Sequence, residues 1–137
     1  ILDDFVKNFV IRIYYEDTDS LGLVYYANYL KYFERARTEY FRSVGYSLSD
    51  ISDSLDIFFV VRSCKIKFLS PAKLNDNIEV ISYIKSLKKK LIQFDQIIKL
   101  DNNILVKSLI NISCISRSGH ATVIPEDIYI SLKKMNE

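Results

Sequence analysis

The residues of this chain that could do chemistry are concentrated between positions 14 and 40. Three carboxylates, Glu16, Asp17 and Asp19, lie in an acidic turn, and an aromatic-rich helical pattern begins a few residues later. The start of a helix presents backbone N–H groups that carry partial positive charge. A carboxylate there can attack a carbonyl carbon or activate a water, while the amides polarise the carbonyl oxygen. This stretch therefore predicts a site for chemistry at a carbonyl group.

The elements that position this turn are predicted to form one domain over residues 1–137. A chain of 137 residues and 16.0 kDa can bury roughly two-thirds of its unfolded surface without help from metal or disulfides. Cys64, Cys114 and the single histidine, His120, show no metal-ligand spacing. We therefore expect no metal site and two reduced, structural thiols.

Charge and hydropathy exclude several functional classes. The net charge of +2 comes from interleaved acids and bases, which argues against a dedicated nucleic-acid binder. A lysine cluster, Lys85 with Lys88–Lys90, is either the solvated end of a hairpin or a contact for anionic phosphate. No apolar run is long enough to span a membrane, and residues 1–5 lack the pattern of a signal peptide. We expect a cytoplasmic protein without membrane insertion.

Periodicity predicts the elements around the acidic turn. Residues Phe9 to Tyr15 alternate as in a half-buried strand, and Asn28 to Val44 repeat apolar residues at helical spacing. Asn28 is a candidate N-cap and Gly45 a stop signal, which gives a helix of about four turns. Residues Ser47 to Leu55 predict a loop with one helical turn.

Four further segments are rich in β-branched and aromatic residues and are separated by turn signals. They are Ile57 to Ser70, Ile78 to Ser86, Lys90 to Leu100, and Ile104 to Ser116. Short connections predict antiparallel neighbours, and Pro125 precedes a short final helix. The predicted fold is α+β, with one long helix on one face of a five-stranded antiparallel sheet. Open sheet edges predict a homo-oligomer, either a dimer or a tetramer.

Two segments carry a resemblance to a known family. They are Tyr15 to Glu39, which reads YEDTDSLGLVYYANYLKYFERARTE, and Phe68 to Asp76, which reads FLSPAKLND. Both are similar to segments of the hotdog-fold thioesterases of the 4-hydroxybenzoyl-CoA thioesterase family, and the chain most resembles the bacterial acyl-CoA thioesterases associated with the Tol-Pal system. The resemblance implies a hotdog fold, a five-stranded antiparallel sheet wrapped around one long central helix. It also implies hydrolysis of acyl-CoA with short or medium aliphatic or aromatic acyl groups. No cofactor is implied, because coenzyme A is part of the substrate.

The resemblance assigns roles within an Asp-x-x-Gly-x-Val pattern made by Asp19, Gly22 and Val24. Asp19 is implied as the catalytic carboxylate, either as a nucleophile or as the base for a water. Gly22 would let the chain approach the substrate, and amides around Tyr26 would point at the thioester oxygen. Tyr26 stands where the Tol-Pal group usually has histidine, so it would shape the acyl pocket or donate its hydroxyl.

Further substrate contacts are implied outside the catalytic residues. Val24 and Tyr25 lie beside Tyr26, and Arg62 and Ser63 lie in a strand that borders the partner's site in hotdog dimers. A purely structural role in the sheet would account for Arg62 and Ser63 equally well.

Other charged residues have alternative explanations. The candidates for the phosphates of coenzyme A are Lys88, Lys89, Lys90 and Arg117. Four charged residues resemble the helix signature of the family, and charge pairing on a helix face or across a dimer would also account for them. They are Glu34, Arg35, Arg37 and Glu39. His120 is expected at the surface.

Two rival functions remain open from the sequence. A hotdog dehydratase or hydratase would need a histidine near the central helix, and this chain has none there. A non-catalytic acyl-CoA or acyl-carrier-protein binding partner, acting in an envelope or phospholipid-synthesis assembly, is favoured by Tyr26 at the usual histidine position. Acyl carrier protein is therefore a possible partner.

Overall fold

The structure is a computed structural model that describes residues 8–136. Within this range the elements follow in the order β1 (Asn8–Arg12), α1 (Asn28–Ser43), α2 (Leu48–Leu55), β2 (Ile57–Phe68), β3 (Asn77–Leu87), β4 (Leu91–Leu100), β5 (Asn103–Ser116) and α3 (Glu126–Met135). A 3-10 turn, Tyr15–Asp17, lies between β1 and α1. None of the helices in residues 8–136 has the length and apolar character to cross a membrane. The signal-peptide prediction for residues 1–5 lies outside the described residues.

The five strands form one antiparallel sheet in the order β1-β3-β4-β5-β2. The strand pairs β3–β4 and β4–β5 are hairpins, as short connections predicted. The prediction is wrong for β2 and β3, because residues 69–76 carry the chain across the end of the sheet. Hydrogen bonds from Leu69 N to Leu105 O (2.8 Å) and from Asn75 N to Ile13 O (2.9 Å) hold this crossing segment.

Helix α1 packs on one face of the sheet, as predicted. Its buried side is formed by residues at helical spacing, which are Tyr29, Tyr32, Phe33, Ala36, Arg37, Tyr40 and Phe41. The ring of Tyr40 lies edge-on to Phe94 of β4, with centroids 5.4 Å apart, and Phe41 lies 4.9 Å from Phe59 of β2. Burying one such side chain contributes about 1.5–3 kcal/mol. These contacts fix the helix and therefore the position of its first turn.

Local structure before α1 differs from the prediction in two ways. Strand β1 ends at Arg12 and not at Tyr15, because the chain bends into the 3-10 turn. Asn28 is not the N-cap, since Ala27 precedes the first helical residue and makes no side-chain capping bond. The Asn28 side chain instead donates to Asp17 O at 2.9 Å, which ties the acidic turn to the helix.

The segment after α1 is more helical than predicted. Helix α2 has eight residues, where the sequence indicated a loop with one helical turn. Ile51 is buried in the core, and its amide donates to Ser47 O at 3.0 Å. Packing of this apolar side chain stabilises a helix that local propensity alone does not specify.

Strand β2 is a long and exposed edge of the sheet. It has twelve residues and pairs with β5, and within residues 8–136 no strand pairs with its other edge. Val61 is 53% exposed and Phe68 49% exposed. A long apolar edge strand is a template for pairing with another chain.

Candidate active site

A tight turn around Asp19 leads from β1 toward α1. Asp19 N donates to Leu23 O at 2.8 Å, and Gly22 N donates to Asp19 O at 3.0 Å. Gly22 has φ +74°, a left-handed conformation that side-chain-bearing residues rarely adopt. Thr18 and Val24 form a β-bridge across the base of the turn. The Asp-x-x-Gly-x-Val spacing is therefore what closes this turn.

The Asp19 side chain is exposed and held through one of its oxygens. Oδ1 accepts hydrogen bonds from the amides of Leu21 (2.9 Å) and Leu23 (3.3 Å). Among residues 8–136, Oδ2 has no hydrogen-bond donor. One oxygen orients the carboxylate, and the other is accessible to a substrate or a water.

The first turn of α1 is anchored by Asp17. The carbonyl of Asp17 accepts hydrogen bonds from Tyr25 N (3.0 Å) and from the Asn28 side chain, and its carboxylate accepts one from Tyr14 N (2.8 Å). The amides of Tyr26 and Ala27 have no acceptor within the described part of the chain. Two backbone donors at the positive end of the helix are thus available close in sequence to Asp19.

An aromatic cavity of about 250 Å³ opens beside this helix start. It is lined by Val24, Tyr26, Tyr29, Phe68 and residues 69–71. Tyr26 is 62% exposed, and its ring stands edge-on to Phe68 with centroids 6.3 Å apart. The ring of Tyr25 lies 5.0 Å from that of Tyr26, tilted by 50°, but does not line the cavity. The cavity is apolar enough for an acyl group, and Tyr26, whose amide lacks an acceptor in the described part of the chain, forms part of its wall.

The crossing segment braces the turn through contacts that the sequence did not reveal. Ala72 N donates to the Tyr29 hydroxyl at 3.0 Å, and Val24 N donates to Ala72 O at 2.9 Å. Leu74 N donates to Gly22 O at 3.1 Å. Burial raises the pKa of the Tyr29 phenol, which therefore stays protonated at neutral pH. The sequence signal for this brace was the similarity of residues 68–76 to the family.

A second polar cluster lies in the core, farther along α1. Arg37 is only 8% exposed and donates from Nη1 to Gln96 Oε1 at 3.0 Å. Gln96 Nε2 donates to Phe33 O (3.0 Å) and to Ser82 Oγ (2.9 Å), and Ser108 Oγ donates to Gln96 O (2.8 Å). Burial lowers the pKa of the Arg37 guanidinium. Charge pairing on the helix face is confirmed for Glu39, which pairs with Arg42, whereas Arg37 is buried and hydrogen-bonds to Gln96.

Several predicted site residues lie away from Asp19 in this chain. Arg62 lies at an irregularity in β2 between Val61 and Ser63, and the Asn111 side chain donates to Ser63 Oγ at 2.7 Å. Five to six residues separate them from Phe68, which is about 20 Å along a strand. They do not line the aromatic cavity.

The phosphate candidates lie at the opposite end of the sheet. Lys88–Lys90 follow β3, whose first residue, Asn77, is next to the Asp19 turn. The eleven residues of β3 separate the two ends by roughly 35 Å. Arg117, after β5, pairs with Asp56 at 2.5 Å and stacks over Phe58 at 5.2 Å. One chain therefore does not bring these cations to its own Asp19.

The remaining predicted residues are placed as follows. His120 is exposed, as predicted, and its Nδ1 lies 3.0 Å from Ser118 Oγ. Both cysteines are free thiols, with Cys114 buried and Cys64 exposed, so a structural role fits only Cys114. Among residues 8–136, no three side chains of the metal-binding types converge.

Comparisons with known proteins agree with this geometry. Residues 21–107 match the family model of the thioesterase superfamily. The acyl-CoA thioesterase YbgC of Haemophilus influenzae is 36% identical over 108 residues, 79% of each chain. That of Helicobacter pylori is 44% identical over 92 residues, 66% of each chain. A probable thioesterase from Bartonella henselae, 31% identical, superposes with a TM-score of 0.83 and covers 86% of this chain and 98% of its own. The chain has the hotdog fold and belongs to the thioesterase superfamily.

Proposed function

We propose that the protein hydrolyses acyl-CoA thioesters to a free acid and coenzyme A, with Asp19 as the catalytic carboxylate. The observation that carries the proposal is the Asp19 carboxylate, which is fixed through Oδ1 and open at Oδ2, in the turn that leads to the unpartnered amides of Tyr26 and Ala27. The acyl-CoA thioesterases of Haemophilus influenzae and Helicobacter pylori support the substrate class.

Two reaction paths use the same atoms. In one, Asp19 Oδ2 attacks the carbonyl carbon, the C–S bond breaks, the thiolate of coenzyme A leaves, and water hydrolyses the resulting anhydride. In the other, Oδ2 removes a proton from a water that attacks the carbonyl carbon. In both, the Tyr26 and Ala27 amides stabilise the negative charge on the carbonyl oxygen. Rapid chemical quenching during a single turnover distinguishes them, because only the first path leaves an acyl group on Asp19.

The aromatic cavity is the proposed acyl pocket. Its volume of about 250 Å³ suits short or medium aliphatic and aromatic acyl groups. Tyr26 forms one wall against Phe68, while Gly22 and Val24 shape the adjoining turn. Tyr25 supports the Tyr26 ring from outside the cavity.

The complete site is proposed to form in a homodimer. The open edge of β2 pairs antiparallel with the same edge of a second chain, which satisfies its backbone groups and covers Val61. Antiparallel pairing brings the Ile57 end of one β2 toward the Phe68 end of the other. Arg62, Ser63, Arg117 and Lys88–Lys90 would then serve the partner's site.

The test is free-thiol release from a panel of short, long and aromatic acyl-CoAs. The parent is expected to release thiol, Asp19→Asn to release none, and Glu16→Gln, an exposed acid three residues away, to behave as the parent. Activity that survives in Asp19→Asn overturns the assignment. No release from any acyl-CoA by the parent, with acyl-CoA still bound, would indicate the non-catalytic binding partner. A cytoplasmic location, a Tol-Pal association and binding of acyl carrier protein stay predictions of the sequence.

A further inference from the structure

Among the described residues that line the aromatic cavity, Tyr29 alone has a buried polar side chain. It lies in the first turn of α1 and is 3% exposed, whereas Tyr26 and Ser70, the other lining residues with polar side chains, are exposed. The ring of Tyr29 lies 5.8 Å from that of Phe68 and edge-on to that of Tyr32 at 6.0 Å. These contacts fix the orientation of the phenol at the wall of the cavity.

The hydroxyl of Tyr29 uses only its capacity to accept. Its oxygen accepts a hydrogen bond from Ala72 N at 3.0 Å, but a phenol also has a proton to donate. Within residues 8–136, no acceptor receives that proton. Because buried donors in proteins are normally hydrogen-bonded, an acceptor from outside the chain is expected at this hydroxyl.

The hydroxyl lies beside the wall that the crossing segment gives to the cavity. Ala72, to which it is bonded, directly follows Pro71, and residues 69–71 line the cavity. Tyr26, whose amide is proposed to bind the thioester oxygen, precedes Tyr29 by three residues, which is about 4.5 Å of helix rise. A hydrogen-bond donor is therefore held a short distance from the proposed thioester position, at the wall of the proposed acyl pocket.

The charge around the hydroxyl restricts the kind of oxygen that it can bind. The lining residues within the described part of the chain include no cation. Burial, and then the negative charge of Asp76, raise the pKa of Tyr29, so the hydroxyl keeps its proton at neutral pH. A carboxylate acceptor would be repelled by Asp76 and would have no cation to pair with. An uncharged carbonyl or hydroxyl oxygen does not have these costs.

We propose that Tyr29 determines acyl selectivity by donating a hydrogen bond to an uncharged oxygen of the acyl group, an inference that rests on the proposed function. The preferred substrates are acyl-CoAs that carry an oxo or hydroxy substituent within reach of Tyr29. A hydrocarbon acyl group of the same length leaves the phenol proton without an acceptor, so it binds less tightly. Tyr29 then has two roles, because it accepts from Ala72 and donates to the substrate.

The experiment compares kcat/KM for hexanoyl-CoA with kcat/KM for its 3-oxo, 4-oxo and 5-oxo derivatives, which place one oxygen at successive positions. The parent is expected to prefer one oxo derivative over hexanoyl-CoA by about fivefold, as one neutral hydrogen bond allows. In Tyr29→Phe this preference should disappear. Adipoyl-CoA, which carries a carboxylate at the end of the chain, should react more slowly than hexanoyl-CoA.

A purely structural role of Tyr29 would not change the ratio between two acyl groups. Loss of the hydrogen bond to Ala72 lowers kcat for every thioester alike, whereas loss of a substrate contact affects only the oxo derivative. The matched control is Tyr26→Phe, which removes the exposed hydroxyl of the same cavity and should leave the ratio as in the parent.

Four results overturn the proposal. These are equal kcat/KM values for hexanoyl-CoA and all its oxo derivatives in the parent, a preference that persists in Tyr29→Phe, a preference that is lost in Tyr26→Phe instead, and faster hydrolysis of adipoyl-CoA than of hexanoyl-CoA. If Tyr29→Phe does not fold, infrared spectroscopy of a carbon-13-labelled ketone bound to Asp19→Asn replaces it. A carbonyl band at lower frequency than in an apolar solvent supports the hydrogen bond, and an unshifted band overturns it.

Failure of the proposed function gives a different result. If the parent hydrolyses none of these thioesters, dissociation constants from titration replace kcat/KM. About fivefold tighter binding of one oxo derivative than of hexanoyl-CoA, lost in Tyr29→Phe, would still support the role of Tyr29. Equal binding of all the thioesters would overturn it.

Discussion

Helix α1 carries two polar clusters in opposite surroundings. At its start, Asp19 and the amides of Tyr26 and Ala27 are open and lack some of their hydrogen-bond partners. In its middle, Arg37 and Gln96 are buried, and Gln96 is hydrogen-bonded to α1, β3 and β5.

This difference in burial distinguishes polar groups that support the fold from polar groups that are available to a substrate. A buried polar group that lacks a partner costs stability, so the inner cluster uses its donors and acceptors within the protein. An exposed donor or acceptor can lack a partner within the protein, because water hydrogen-bonds to it until a substrate binds. The inner cluster and the aromatic core hold the helix, and the outer cluster is the proposed site of substrate chemistry. Substitutions in the outer cluster should change activity, and substitutions in the inner cluster should change stability.

The largest expected effect is on activity alone. Asp19→Asn should lower kcat by at least about 10²-fold, because it removes the carboxylate that acts as nucleophile or base. Stability should not change, since the asparagine Oδ1 can still accept from Leu21 and Leu23. Thiol release checks the expected loss of activity, and thermal unfolding of the same preparation checks that stability is unchanged. A fall of several degrees in Tm would show that Asp19 also supports the fold.

The converse test replaces Gln96, the residue that connects the members of the inner cluster. Gln96→Leu leaves the Arg37 guanidinium buried without its acceptor, and breaking a buried charged pair typically costs about 3–5 kcal/mol. We expect a loss near the lower value in urea unfolding, because Gln96 is neutral. The matched control is Gln93→Leu, on the same strand but outside the cluster, which should stay within about 0.5 kcal/mol of the parent. Equal losses in the two variants would contradict a special role for the cluster.

A smaller effect is expected at Tyr29, which lies between the two clusters along α1. Tyr29→Phe removes the acceptor of the buried Ala72 amide and should lower the free energy of unfolding by about 1–2 kcal/mol. Because Ala72 also binds Val24 in the catalytic turn, kcat should fall severalfold as well. Tyr25→Phe, on an exposed ring, serves as the control. A stability loss with unchanged kcat would show that the brace does not position the turn.

The smallest effect concerns the thiols. Burial raises the pKa of Cys114 to about 11, so its thiolate is scarce near pH 8, and its side chain is inaccessible. Iodoacetamide at pH 8 should modify the exposed Cys64 first, and Cys114 only on unfolding, as read by mass spectrometry. The folded pKa lies above the ordinary value of 9, so Cys114 stabilises the protein below pH 9, and this contribution is lost as pH rises toward 11. Rapid labelling of Cys114 in folded protein would contradict its burial.

The sequence by itself determined the local elements and the position of the Asp19 turn. Period-two and helical patterns located the five strands and the long helix, because each pattern depends on residues that are close in the chain. The turn at Asp19 could also be predicted from the sequence, because Gly22 and Val24 lie within five residues of the aspartate.

Tertiary structure alone decided what depends on distant residues. It placed β2 at the far edge beside β5, turned residues 48–55 into a helix through burial of Ile51, and buried Arg37 against Gln96. It also separated Lys88–Lys90 from Asp19 and brought Lys67 opposite Lys107. Strand order and register are set by long-range packing and hydrogen bonding, which no local pattern encodes.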